Sequence, residues 1–451
     1  MSQDWLFQSA SALGRGIERG DIDPVRLTET YLEAIEAHPL RDRIYSVVTY
    51  ERARAEAKAA AARAASGQRR GLLDGVPISW KDLFDSASIA TEAGSAYLKG
   101  RTPKEDAEVL DNATKAGLVC LGKTHMSELA FSGLGYNPVT ETPPCVNDPA
   151  AVPGGSSSGA ATSVAFGLAA AGIGSDTGGS VRIPSAWNDL TGLKTTHGLI
   201  SVKGVVPLCE TFDTVGPLCR SVEDAAQLLA VLSGSSPAAS VTPAPSLKGR
   251  RLLVLEEVGM EELRPQPKAA FESAVEKLAA AGATVARGNV RAVATAMPLS
   301  ACLFTVDAYA QWHEEIEADP DLMFHEILDR FRAGGAFSGI EYVEGWMKLR
   351  ALRADYLRDT ASYDAVLVPT SPVLPPNLER LATDSNFYVS ENLLALRNTR
   401  IANLMGLCAL NLPTGVPSCG LQVMAAPFTE GRLLRLGAAM EAVLTPATNR
   451  T

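Results

Sequence analysis

The chain of 451 residues carries a formal net charge of −10, with 46% hydrophobic and 20% charged residues. An acidic balance argues against a sequence-independent grip on nucleic acid, which needs a basic surface. No run of about 18 residues is apolar enough to span a bilayer, and the start Met-Ser-Gln-Asp-Trp-Leu lacks the basic and apolar regions of a secretory signal. Seven cysteines, at 120, 145, 209, 219, 302, 408 and 419, form no C-x-x-C pair and mostly have apolar neighbours. They read as reduced thiols of a cytoplasmic protein, with no metal site and no cofactor expected. Length alone would suit about three domains.

Residues 5–38 read as two helices. Asp23 and Pro24 open the second, as N-cap and first helical residue, and Leu27, Tyr31, Leu32 and Ile35 recur at helical spacing. Residues 51–66 form an alanine- and charge-rich exposed helix, and a glycine-bounded loop at 67–71 leads into an apolar strand that delivers Lys81. A helix over 107–117 precedes a strand at 118–121. Residues 117–124 satisfy the phosphate-loop expression G-x-x-x-x-G-K-T. That motif needs a loop whose successive N–H groups wrap phosphates; here its middle residues are the strand itself, so nucleotide binding is rejected.

The small, apolar segment 160–171 reads as one buried helix. Strands and turns follow at 198–207 and 212–217, then an amphipathic helix over 221–233 with Ser221 as its cap. Residues 234–246, rich in Gly, Ser, Pro and Ala, are a low-complexity linker. Beyond them come a strand at 251–255, a helix at 266–281, a strand at 284–287, a mostly helical stretch at 300–362 and a buried strand at 363–370. Helices alternating with short apolar strands imply an α/β architecture.

Two glycine- and serine-rich runs flank the segment 160–171. The first is Gly154-Gly155-Ser156-Ser157-Ser158-Gly159; the second is Gly174-Ser175-Asp176-Thr177-Gly178-Gly179-Ser180. Such runs suit acyl transfer: a serine hydroxyl becomes a nucleophile once a base takes its proton, and glycines leave N–H groups free to meet an oxyanion. No histidine stands near either run. Lys81 is the alternative base, since burial disfavours an ammonium and lowers its pKa by up to ~3–5 units. Plainer readings compete. Ser180 could be a helix N-cap, 154–159 a flexible linker, and Lys81 a surface lysine paired with Asp82 or Asp85.

Lys81, Ser156 and Ser180, together with Gly174–Pro184, Gly192-Leu193-Lys194, Asp213–Pro217 and Gly420–Val423, resemble the amidase signature family over almost the whole chain. The resemblance implies a single α/β/α sandwich around a mixed, twisted sheet, spanning 1–451 with 234–246 as a surface loop inside it. It implies Ser180 as nucleophile, Ser156 as a bridging serine after a cis peptide, and Lys81 as base. Backbone N–H groups of Thr177, Gly178, Gly179 and Ser180 would form the oxyanion hole, with Ser175, Asp176 and Arg182 in support. Arg182 is expected to pair with Asp176 or Asp213. Met126, Ser132 and Trp187 are candidates for the acyl pocket or for core. The expected partner is a small-molecule amide, with no nucleic acid and no membrane; a homodimer is admissible.

Three positions depart from the family's usual text: His125 for asparagine, Asp189 for glycine and Thr195 for proline. They are expected to make the pocket and its rim unusual. The implied activity is hydrolysis of a small or medium carboxamide through an acyl-Ser180. Two alternatives stand beside it: the glutaminase (A) subunit of a tRNA-dependent amidotransferase, disfavoured by the lack of tyrosine-rich helical text at 340–400, and a catalytically silent scaffold.

Overall fold

The computed structural model describes residues 3–234, 241–242 and 244–444. Among them eleven strands form one mixed sheet: β1 (Tyr45–Val48), β2 (Pro77–Lys81), β3 (Val119–Thr124), β4 (Ala171–Ser175), β5 (Thr191–Lys194), β6 (Val215–Cys219), β7 (Arg251–Leu255), β8 (Thr284–Gly288), β9 (Ala365–Pro369), β10 (Cys408–Pro413) and β11 (Gly420–Ala425). Their order is β1-β3-β2-β4-β6-β5-β10-β11-β9-β7-β8. β2 runs parallel to both β3 and β4, and β7 parallel to β8 and β9, while the pairs between β4 and β9 are antiparallel. Helices flank this sheet, as an α/β architecture requires. The linker read at 234–246 lies largely outside the described residues; β6 before it and β7 after it belong to the same sheet.

Local signals placed several elements correctly. Asp23 caps the helix Pro24–Ala37 by accepting from the Arg26 N–H, and Ser221 caps Val222–Leu232 by accepting from the Asp224 N–H. The phosphate-loop text is strand through its GKT end, and Lys123 lies opposite Trp80 in the parallel ladder of β2 and β3. The segment 160–171 departs from expectation. Its helix is Ser158–Ala165, a turn follows with Gly167 at φ +73°, and β4 begins at Ala171. Composition could not separate the two, because alanine and glycine fill both the helix and the buried strand.

The close seating of that helix on β4 explains the glycines of the strand. A Cβ on Gly172 would lie 2.6 Å from the Ala160 carbonyl oxygen, and one on Gly174 would lie 2.5 Å from Ser157 Oγ. Strands β1, β5, β10 and β11 were not recognisable as strands from periodicity. Most are buried on both faces, so no alternation of polar and apolar residues marks them.

Candidate active site

Side chains alternate across a strand, so Ser79 and Lys81 of β2 point to one face of the sheet. The helix Ser158–Ala165 covers that face: Ser79 Oγ lies 2.8 Å from Ser163 Oγ. Lys81 is the last residue of β2 and is completely buried. The serine run before the helix and the run after β4 therefore converge at the carboxyl end of the parallel strands, where open α/β sheets hold their ligands.

Lys81 Nζ lies 2.6 Å from Ser156 Oγ and 2.8 Å from Ser175 Oγ, and no carboxylate among the described residues is paired with it. Burial brings its pKa down to about 7, with distant Asp213 and Asp176 acting in the opposite sense. The surface-lysine reading fails on both counts: Asp82 is paired with Lys123 and Asp85 with Arg101. The Gly155–Ser156 peptide is cis. The run 154–159 is no free linker, for Gly154 and Gly155 N–H groups donate to the Leu134 and Gly133 carbonyls, and Ser157 N–H donates to the Ser180 carbonyl. Ser157 and Ser158 serve as ties. Ser158 Oγ donates to the His125 carbonyl, and Ser157 Oγ accepts from the Ser175 N–H.

Ser180 is not an N-cap. The helix that follows is Arg182–Trp187 with Val181 at its cap, and Ser180 Oγ makes no hydrogen bond to protein among the described residues, Ser156 Oγ included. The loop before it is held through its carbonyls and side chains. Thr177 Oγ1 donates to Asp213, Thr399 Oγ1 donates to the Gly178 carbonyl at 2.7 Å, and Ile183 N–H donates to the Gly179 carbonyl. Gly179 sits at φ +143°, beside Thr399, where a side chain would clash. The N–H groups of Thr177, Gly178, Gly179 and Ser180 have no protein acceptor among the described residues, which leaves them available to a ligand oxygen.

Behind this loop lies a buried polar cluster. Arg182 contacts both oxygens of Asp176, at 2.8 and 2.9 Å, and also reaches Gln422, Asn403 and the Thr399 carbonyl. Burial raises the Asp176 pKa, but the guanidinium outweighs it and brings the carboxyl to about 2. Arg182 pairs with Asp176, one of the two partners expected, and is sealed from solvent and from the cavity. Asp213 instead accepts from Thr177 and from the Leu208 and Cys209 N–H groups; burial raises it to about 6. Asn403 and Thr399 were not singled out in the sequence, and Gln422 appeared there only within the matching text Gly420–Val423, with no role assigned. They come from the helix Ser385–Leu404 and from β11, more than two hundred positions away, and no spacing rule links them to Asp176.

A cavity of about 330 Å³, open mouth included, lies against Ser180, Thr177 and Gly178. Ser132 lines it, whereas Met126 and Trp187 are fully buried core and do not. The expectation that His125, Asp189 and Thr195 shape the pocket is not met. Asp189 lies at φ +56°, a conformation that glycine adopts most readily, and its carboxylate accepts from Asn147 and Ser418 N–H. Thr195 donates to the Val215 carbonyl. Burial holds His125 well below the usual histidine range, at about 4. The cavity also exposes Arg330 and Arg400, which the sequence did not mark. Among the described residues no group of three or more His, Cys, Asp or Glu side chains could hold a metal ion, and no helix is long and apolar enough to cross a membrane.

Comparison with known proteins agrees with this architecture. Residues 26–434 match the family model described as Amidase. The 2-amino-5-chloromuconic acid deaminase of Comamonas testosteroni is 34% identical, over 90% of each chain. The glutamyl-tRNA(Gln) amidotransferase A subunit of Anaeromyxobacter sp. (strain K) is 32% identical over 96% of this chain and 95% of its own. The X-ray structure of the peptide amidase from Stenotrophomonas maltophilia superposes with a TM-score of 0.81 at 26% identity, covering 97% of this chain and 96% of that one. The chain thus belongs to the amidase family, hydrolases of amide C–N bonds for which a Ser–Ser–Lys triad is characteristic.

Proposed function

We propose that the chain hydrolyses a small or medium carboxamide through a covalent acyl-Ser180, with Lys81 as base and Ser156 as the proton carrier between them. The observation that carries this reading is a fully buried lysine whose amine meets two serine hydroxyls and no carboxylate. A lysine so placed sheds its proton near pH 7 and then has a lone pair to offer. Neutral Lys81 takes a proton from Ser156 as Ser156 takes one from Ser180. Ser180 Oγ attacks the amide carbon, and the oxyanion is met by N–H groups of the loop Thr177–Ser180. Ser156 then passes a proton to the departing nitrogen, which leaves as ammonia or amine. Water, deprotonated by the same route, cleaves the ester and releases the acid. Ser156 and Ser180 are not hydrogen-bonded in the free protein, so the relay requires that contact to form when substrate binds, as catalytic hydrogen bonds commonly do.

Arg182 and Asp176 act as positioning residues that fix the oxyanion loop, and Ser175 orients the lysine amine. The whole chain is taken as one catalytic unit, a reading supported by the single sheet to which both halves contribute strands. A cytoplasmic setting is supported by seven cysteines, all buried and free. A small-molecule amide is the expected partner; a homodimer stays compatible with the fold. Treating purified protein with a fluorophosphonate probe and with a panel of aliphatic, aryl and dicarboxylic monoamides tests the reading. Labelling confined to Ser180, with amide turnover, supports it; labelling unchanged in Ser180→Ala sinks it and leaves a silent scaffold.

The resemblance to the glutaminase (A) subunit of an amidotransferase over nearly the full length keeps one second reading in play, a glutaminase that works in a complex. Co-purification with partner proteins, with glutaminase activity appearing only in their presence, would favour that reading over a free-standing amidase.

A further inference from the structure

Two other arginines that lack a carboxylate partner are satisfied by more than one carbonyl. Arg220 donates to the Gln8, Ala169, Ala170 and Val164 carbonyls, and Arg353 to those of Leu404 and Asn403. Arg182 has its carboxylate in Asp176. Arg330 and Arg400 follow neither pattern. Arg330 stacks over the Phe131 ring at 4.4 Å and donates once, to the Phe131 carbonyl at 3.1 Å. Arg400 donates once, to Ser300 Oγ at 3.3 Å. A guanidinium has five N–H donors, so most of theirs are unused. Both side chains line the cavity that holds Ser180.

Arg330 lies close enough to Arg400 to disfavour its charge. Burial lowers the Arg400 pKa to about 9 with Arg330 adding to the effect, and burial brings Arg330 to about 10. Two half-buried guanidiniums facing one small cavity with no anion between them are unfavourable in the free protein. A carboxylate bound there would relieve both, and the forked geometry of arginine suits it to two-point contact. Among the described residues no carboxylate side chain lines the cavity, which leaves the ligand as the source of that anion.

We propose that Arg330 and Arg400 bind a carboxylate carried by the substrate, so that the enzyme selects amides bearing a second, anionic group, such as dicarboxylic acid monoamides. The proposal rests on the amidase reading of Ser180 and narrows its substrate class. Phe131 fixes the plane of Arg330 by stacking, so the fork is oriented before substrate arrives.

The test compares succinamate with its uncharged counterpart butanamide on the wild-type enzyme and on Arg330→Gln and Arg400→Gln. Wild-type kcat/KM should favour succinamate, and each substitution should reduce that preference about 10- to 100-fold. A second measurement does not need the variants to be active: succinate should slow fluorophosphonate labelling of Ser180 in the wild type at concentrations where butanamide does not. If Ser180 is labelled and amides are hydrolysed, but butanamide is preferred or succinate gives no protection, the carboxylate site is wrong while the amidase reading stands. Preference for succinamate that survives both substitutions also overturns it. If Ser180 is neither labelled nor needed for turnover, both readings fall together.

Discussion

Lys81 and Lys123 occupy the ends of adjacent parallel strands and are both sealed from solvent. Lys123 Nζ meets Asp82 at 2.9 Å and Thr91 Oγ1 at 2.9 Å, a charge with its counter-charge beside it. Lys81 Nζ meets only hydroxyls. A buried ammonium is stable when paired and sheds its proton when it is not. Two lysines of equal burial, one register step apart in a sheet, are thus suited to opposite work: one holds strand and loop together as an ion, and the other has an amine to offer as the proposed base. The partner decides, not the residue type or its depth. The same contrast separates Arg182, saturated by Asp176 and its neighbours, from Arg330 and Arg400, which face the cavity with donors to spare.

The sharpest way to break this contrast is at the proposed nucleophile. Ser180→Ala should cut turnover about 10⁶-fold and abolish fluorophosphonate labelling, with the unfolding midpoint little changed. Lys81→Met should lower kcat by about 10²–10⁴-fold in steady-state assays, yet leave the protein as stable or more so, because the replacement removes a buried amine. Lys123→Met should do the reverse. It strands the Asp82 carboxylate, so denaturant titration should show a loss of about 3–5 kcal/mol, with turnover per folded molecule kept. Equal behaviour of the two lysine variants would end the distinction.

The pH dependence sharpens it further. Because Lys81 titrates near pH 7, kcat/KM should climb as pH rises through about 7 and then level off, a limb that Lys81→Met lacks. An unfolded lysine keeps its proton up to about 10.4. Between pH 7 and that value the unfolded chain therefore binds one more proton than the folded one at this site, and the contribution of Lys81 to stability rises with pH across the window. The smallest effect is expected at Asp189. Asp189→Gly removes the positive-φ penalty of about 1 kcal/mol but loses two hydrogen bonds worth a similar amount, so thermal melts should shift little and amide turnover not at all.

Much of the site's framework was legible in the sequence. The two glycine–serine runs and the lysine at the end of an apolar strand single out the proposed reacting groups and the loop beside them, because that chemistry is written in contiguous text with tight steric demands. Helix caps at Asp23 and Ser221 were legible for the same reason: a cap is a local hydrogen bond. Less could be read where local text is ambiguous. The break between Ala165 and Ala171 hid in a run of small residues, and the doubly buried strands β10 and β11 carry no alternation to mark them.

What the sequence determined by itself is therefore the set of candidate reacting groups and the alternation of helices and strands that builds the sheet around them. Tertiary structure alone decided which buried lysine has a carboxylate and which has hydroxyls, that Arg182 is spent on Asp176, and that Arg330 and Arg400 look into the cavity from two separate helices. Protonation and pairing depend on distances of a few ångströms between residues remote in sequence. Those distances exist only once the chain has folded.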